Sequence, residues 1–167
     1  MATKLERQRM QFWEAFNNLA RRRRVPFSLR RPSERSYHHI SIGHTGLAVD
    51  LNILRRRNRV RCGLYITNPA AREIYKRLRE EETAIRQTIR GELGDKDVEA
   101  LTWYAPRKRH ARRIWIEEDG FPVNAVSSRK ASRWLLTRAE AFLRVFKPRI
   151  DSILRELKRS QDTTLSE

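Results

Sequence analysis

Among residues able to do hydrolytic chemistry Asp50 comes first, because a Mg²⁺-dependent phosphodiesterase built on adjacent strands needs an acid on one strand and an acid-x-Lys on the next. The next strand-like segment reads Val60-Arg61-Cys62-Gly63-Leu64-Tyr65-Ile66-Thr67, with neither carboxylate nor lysine. Asp50 is therefore expected to form an ion pair with Arg59 or Arg61 across a hairpin. The histidines are His38, His39, His44 and His110. Neighbours on a strand point to opposite sides, so His38 and His39 cannot share a metal. Cys62, the one cysteine, alternates with apolar residues and is expected in the core; alone, it allows no internal disulfide. Gly91-Glu92-Leu93-Gly94 has the spacing of a phosphate-clamping turn, but Glu92, Asp95 and Asp97 would repel phosphate, which makes a helix C-cap the expected role. Ser127 and Ser128 read as an N-cap, with no His or acid in a recognisable relation to them. No catalytic residue, metal or cofactor is assigned.

Binding chemistry is better represented. The chain carries 37 Lys+Arg against 20 Asp+Glu, a formal net charge of +17 on 167 residues, and the excess is arginine, whose planar fork suits phosphate and whose face stacks on bases. Such a chain favours a polyanion as partner. Three stretches are basic without a nearby carboxylate apart from Glu34: Arg21, Arg22, Arg23 and Arg24 with Arg30 and Arg31; Arg55, Arg56 and Arg57 with Arg59 and Arg61; and Arg107, Lys108 and Arg109 with Arg112 and Arg113. If they converge on one face, that face is the nucleic-acid-binding surface. Tyr65, with Tyr104 and Trp115, lies on or near these strands and is of a type that stacks on unpaired bases. Trp115 is nevertheless expected under flanking helices, and Trp13, Trp103 and Trp134 in the core. Glu73 to Arg90 mixes both signs along a helix and is excluded from the binding face.

The elements that must position these residues follow from periodicity. Phe12, Trp13, Phe16, Leu19 and Ala20 give one apolar face to a helix over Thr3 to Arg23. Three strands are expected at Tyr37 to Ile42, Leu47 to Leu54 and Val60 to Thr67. In the last two, Leu47, Val49, Leu51 and Ile53, and Val60, Cys62, Leu64 and Ile66, share one face, so Asp50, Asn52, Arg59, Arg61 and Tyr65 share the other. Asn68-Pro69 starts a helix carrying Ile74, Leu78, Ile85 and Ile89, which closes at Gly91 before an acidic turn. Two shorter strands, Leu101 to Ala105 and Arg112 to Glu117, flank a basic loop. A final helix from Ser127 or Ser128 to about Lys158 places Leu135, Ala139, Phe142, Phe146, Ile150 and Ile153 on one side, with Pro148 kinking it. The expected fold is α+β: one domain over residues 1–159 in the order α-β-β-β-α-β-β-α, with a mainly antiparallel sheet, a long C-terminal helix and a disordered tail over 160–167. The order α-β-β-β-α-β is also that of restriction-endonuclease-like cores, so a degenerate core of that kind is a second expectation.

Phe12-Trp13-Glu14-Ala15-Phe16, Ile42-Gly43-His44-Thr45-Gly46, Leu64-Tyr65-Ile66, Glu92-Leu93-Gly94, Trp103 and Arg112-Arg113-Ile114, with Trp134 on the terminal helix, recur as an ordered set. In this set the chain resembles, over Gln8 to Leu157, a bacterial and archaeal domain family described as of unknown function, whose members occur alone or behind a restriction-endonuclease-like nuclease module. The resemblance implies a setting, DNA restriction or phage defence, with action alone or beside a separately encoded nuclease or methyltransferase, and supplies no catalytic residues. The leading expectation is a non-catalytic nucleic-acid-binding accessory protein, DNA favoured. The alternatives are a protein-interaction adaptor that uses the C-terminal helix, on itself as a homodimer or on an acidic partner, and a nuclease with an unrecognised site. No apolar run is long enough for a membrane span and no apolar secretory stretch opens the chain, so the expected location is cytoplasmic.

Overall fold

Strand alternation sets the architecture. The computed structural model describes residues 1–122 and 127–165, with the side chains of Ser127 and Ser128 outside the description. Strands β1 (Tyr37–Ser41), β2 (Leu47–Leu54), β3 (Arg59–Ile66), β4 (Thr102–Tyr104) and β5 (Arg112–Asp119) form one antiparallel sheet in the order β1-β2-β3-β5-β4. The residues of one parity, among them Ile40, Val49, Leu51, Cys62, Leu64, Ile114 and Ile116, are buried. They meet helices α1 (Lys4–Arg23), α2 (Ala71–Glu80), α3 (Glu82–Leu93), α4 (Asp95–Ala100) and α5 (Ser127–Thr164), which build a single layer around α5. Among the described residues no helix covers the other face of the sheet. The result is the expected α+β fold and element order, in two layers.

Local chemistry explains most boundaries. Thr3 caps α1 in a capping box with Glu6. Asn68 starts the next helix slightly earlier than α2 itself: its Oδ1 accepts from the Ala70 N–H and its carbonyl from the Ala71 N–H. The expected single helix after it is two, α2 and α3, and its stop is Gly94 (φ 98°), not Gly91, which lies inside α3. Glycine weakens a helix by about 1 kcal/mol but does not end one; a positive φ does. The acidic turn is accordingly helix α4, where Asp97 is buried against Arg138 of α5, its carboxylate accepting two hydrogen bonds of 3.0 and 3.1 Å.

The terminal helix continues through Pro148, which leaves the Arg144 carbonyl without its helical donor. It runs on to Thr164, so the stretch expected as a tail is helical that far. Its stripe of Leu135, Ala139, Phe142, Phe146 and Ile150 is fully buried within this chain. That use removes the surface on which an adaptor reading relies. The capping role expected of Ser127 and Ser128 lies outside the described side chains.

Candidate functional site

The uncovered face of the sheet holds most of what the fold brings together. Reading across the strands, β1 contributes Tyr37 and His39, β2 contributes Ala48, Asp50 and Asn52, β3 contributes Arg59, Arg61, Gly63 and Tyr65, β5 contributes Arg113, Trp115, Glu117 and Asp119, and β4 contributes Tyr104. All share one parity of the pleat. Two stacks form on it. In one, the ring centroids of Tyr37 and His39 are 5.0 Å apart and those of His39 and Tyr65 are 5.9 Å apart, with the Arg113 guanidinium 4.2 Å from the Tyr65 centroid. In the other, the Arg61 guanidinium is 4.5 Å from the Trp115 centroid, and Trp115 is 5.4 Å from Tyr104. Trp115 is thus on the open face and not beneath helices, because its parity on β5 is opposite to that of Ile114 and Ile116.

Gly63 makes room for this arrangement. A Cβ at Gly63 would come within 2.8 Å of both the Trp115 Cβ and the Ile114 carbonyl oxygen on β5. Any larger residue pushes the two strands apart or displaces Trp115.

The electrostatics differ from the sequence expectation. Asp50, only 4 % exposed, pairs with neither Arg59 nor Arg61. Its Oδ1 lies 2.9 Å from His39 Nε2, while its Oδ2 accepts from Asn52 at 2.8 Å and Arg113 at 3.3 Å. Arg59 and Arg61 turn the other way, to β5: Arg61 Nε donates to Glu117 at 2.6 Å, and Arg59 binds Glu117 and Asp119. Hydrogen bonding to Asp119, then its charge, raises the Arg59 pKa. The reason is register, since Arg59 and Arg61 stand opposite Asp119 and Glu117 on β5, whereas their β2 neighbours are Leu54 and Asn52. Three arginines and three carboxylates therefore offset one another at the centre of the face.

The three basic stretches do not converge. Arg55, Arg56 and Arg57 form a 3₁₀ turn between β2 and β3, beside Leu5 and Arg9 at the start of α1. Arg107, Lys108 and Arg109 lie beyond the opposite end of the strands, roughly 25 Å away at about 3.3 Å per residue along β3. Arg21 to Arg24 close α1 in the helical layer, with Arg23 3.9 Å from Glu140 of α5, and do not belong to the open face. Arg112 serves the structure of its own loop. Buried at 7 % exposure, it donates through Nη1 to the carbonyls of Pro106, Arg109, His110 and Ala111 and so holds the basic loop in place. Arg30, Arg31 and Arg35 run beside the β1 edge, where Arg35 donates to the Tyr37 hydroxyl at 2.7 Å.

At the end of the sheet near the Gly43–Gly46 turn the face deepens into a basin of about 510 Å³, lined by Arg30, His39, Ser41, His44, Thr45 and Thr67, among others, and by no carboxylate. His44 Nε2 is held from behind by Asp151 Oδ1 at 2.6 Å. Burial raises the Asp151 pKa, but hydrogen bonds from His44 and Lys147 outweigh it and leave the carboxyl below its usual range. Among the described residues no group of three or more His, Cys, Asp or Glu is placed to hold a metal ion. No helix among them is long and apolar enough to cross a membrane.

Of the residues the sequence singled out, Arg30, Arg31, Arg59, Arg61, Tyr65 and Arg113 lie on or beside the open face, the two turn clusters mark its ends, and Arg21 to Arg24 and Arg112 take other positions. Tyr37 and His39 were missed. Their signal was the pleat itself, since His39 shares parity with Tyr37 and stands opposite Asp50.

A one-sided antiparallel sheet whose bare face carries aromatic and arginine side chains defines a two-layer α+β domain with an open sheet. The chain belongs to the family described as Domain of unknown function (DUF4268), whose model matches residues 8–150. No curated protein and no solved structure matches it.

Proposed function

We propose that this protein is a non-catalytic nucleic-acid-binding module, with DNA the favoured ligand, that serves as an accessory subunit beside a separately encoded nuclease or methyltransferase. The observation that carries the reading is the distribution of unpaired cations. Arg30 and Arg31, Arg55 to Arg57, and Arg107 to Arg109 have no carboxylate at ion-pair distance among the described residues, unlike Arg59, Arg61 and Arg113 on the face itself. All three groups border the open sheet. The setting, a restriction or defence system, is what the sequence resemblance implies.

The test is polynucleotide binding as a function of salt. Each neutralised phosphate contributes about −0.7 to the slope of log K against log[salt] for a single strand and about −0.9 for a duplex, so a slope of about −2 or steeper is expected. Replacing Arg55, Arg56 and Arg57 together by alanine should weaken binding to every sequence and flatten the slope. Absence of binding at low salt overturns the reading.

A further inference from the structure

The open face is uneven in charge, and the unevenness has a direction. Its centre holds Tyr65 and Trp115 among arginines that Asp50, Glu117 and Asp119 already offset, with Tyr104 beside them on the edge strand, while unpaired cations stand at its rim. A duplex presents phosphates outermost, so laying one on this face would press them toward Asp50 and Glu117. A single strand can do the reverse, with bases toward the middle and phosphates toward the edges.

We propose that the open sheet face binds single-stranded nucleic acid, stacking two or three unpaired bases on the Tyr65–Arg113 and Arg61–Trp115–Tyr104 groups. This rests on the nucleic-acid reading above and specifies its ligand. Three further features agree. Tyr104 is 44 % exposed on the edge strand β4, with its ring against Trp115 and much of its surface open to a ligand. Arg61 and Arg113 are tethered by carboxylates, so their guanidinium planes are held ready for stacking and lose little freedom on binding. The basin beside Tyr65 offers Arg30, Ser41 and Thr45 as donors with no carboxylate among its lining, a seat for a backbone phosphate at the end of the track.

The experiment compares the full chain binding to a fluorescein-labelled oligothymidylate of about 12 nucleotides and to a duplex of equal length, at matched salt. The expected result is at least about tenfold preference for the single strand. Trp115→Leu and Tyr65→Leu should each weaken single-strand binding about tenfold without changing the salt slope, and Tyr65→Phe should retain it, since stacking needs the ring and not the hydroxyl. Tyr104→Ala is the variant least able to disturb folding and should show the same loss, with thermal unfolding as the control. Equal affinity for both forms, with aromatic variants at wild-type strength and the salt slope retained, overturns the single-strand inference and leaves the general reading standing. No binding to either form overturns both.

Discussion

His38 offers a measurement in which the core reports on itself. The ring is 3 % exposed on β1, stacked on Trp13 at 4.9 Å and 19°, with the Phe16 ring steeply inclined to it at a centroid distance of 5.9 Å. Burial first, then the charges of Arg30 and His39, lower its pKa from 6.5 to about 4. Between those values the unfolded chain binds a proton that the native protein refuses, so its contribution to stability is complete above about pH 6.5 and is lost as pH falls toward 4. At 1.36 kcal/mol per unit, the loss is about 3 kcal/mol. His38→Phe keeps a flat ring against Trp13 and removes the titration. Urea unfolding followed by tryptophan fluorescence at several pH values between about 7 and 4 should show the wild type falling about 3 kcal/mol further than the variant. Parallel curves for the two proteins would refute the assignment of a neutral, buried imidazole.

Three further outcomes follow from packing. Phe142→Ala removes a ring buried against Phe146 at 5.2 Å and should cost about 3–5 kcal/mol in denaturant unfolding; a neutral effect would show that the α5 stripe is not the core contact described. Gly63→Ala should destabilise by about 1–3 kcal/mol, since its methyl meets the β5 backbone and the Trp115 Cβ, and a full-stability variant would contradict the close approach of β3 and β5. Asp97→Ala leaves Arg138 without its bidentate partner between α4 and α5 and should cost about 3 kcal/mol, whereas unchanged unfolding would mean that the pair is solvated.

How far the sequence reaches can be judged from particular strands. The β2–β3 hairpin was legible because its two faces differ in every alternate residue, and alternation is a local property. Trp115 was legible by the same alternation, its parity being opposite to that of Ile114 and Ile116, but the partners of Asp50 were not, because they depend on which strand lies next to which. Nothing local states that β5 inserts beside β3, yet that adjacency puts Glu117 and Asp119 opposite Arg61 and Arg59 and frees Asp50 for His39 and Arg113. The same limit applies to the clusters. Three arginine runs are visible in the sequence, but their placement at opposite ends of the strands and in the helical layer follows from chain reversal, which spacing does not encode. Gly91 was misjudged for a different reason, since a glycine alone does not report its φ.

The pairing pattern explains why the arginine excess ends up where it does. Acidic side chains on β5, on α2 and α3, and on α5 meet arginines across a strand, within a turn or between helices: Glu117 with Arg61, Glu73 with Arg77, Glu82 with Arg79 and Arg86, Glu92 with Arg144. Exposed pairs of this kind contribute little individually, roughly 0–1 kcal/mol, so they are poor reasons for a chain to recruit so many carboxylates to those places. Their larger effect is subtractive. By offsetting charge at the centre of the sheet and at points in the helical layer, they leave unpaired cations along the borders of the open face as well as on α1 and α2, and there self-repulsion works against folding. A bound polyanion would relieve that repulsion at the places where the protein leaves it uncompensated. The fold therefore joins two properties at one surface, unoccupied stacking groups in a neutral field and unpaired cations around them, and a flexible strand with separable bases and phosphates satisfies both together.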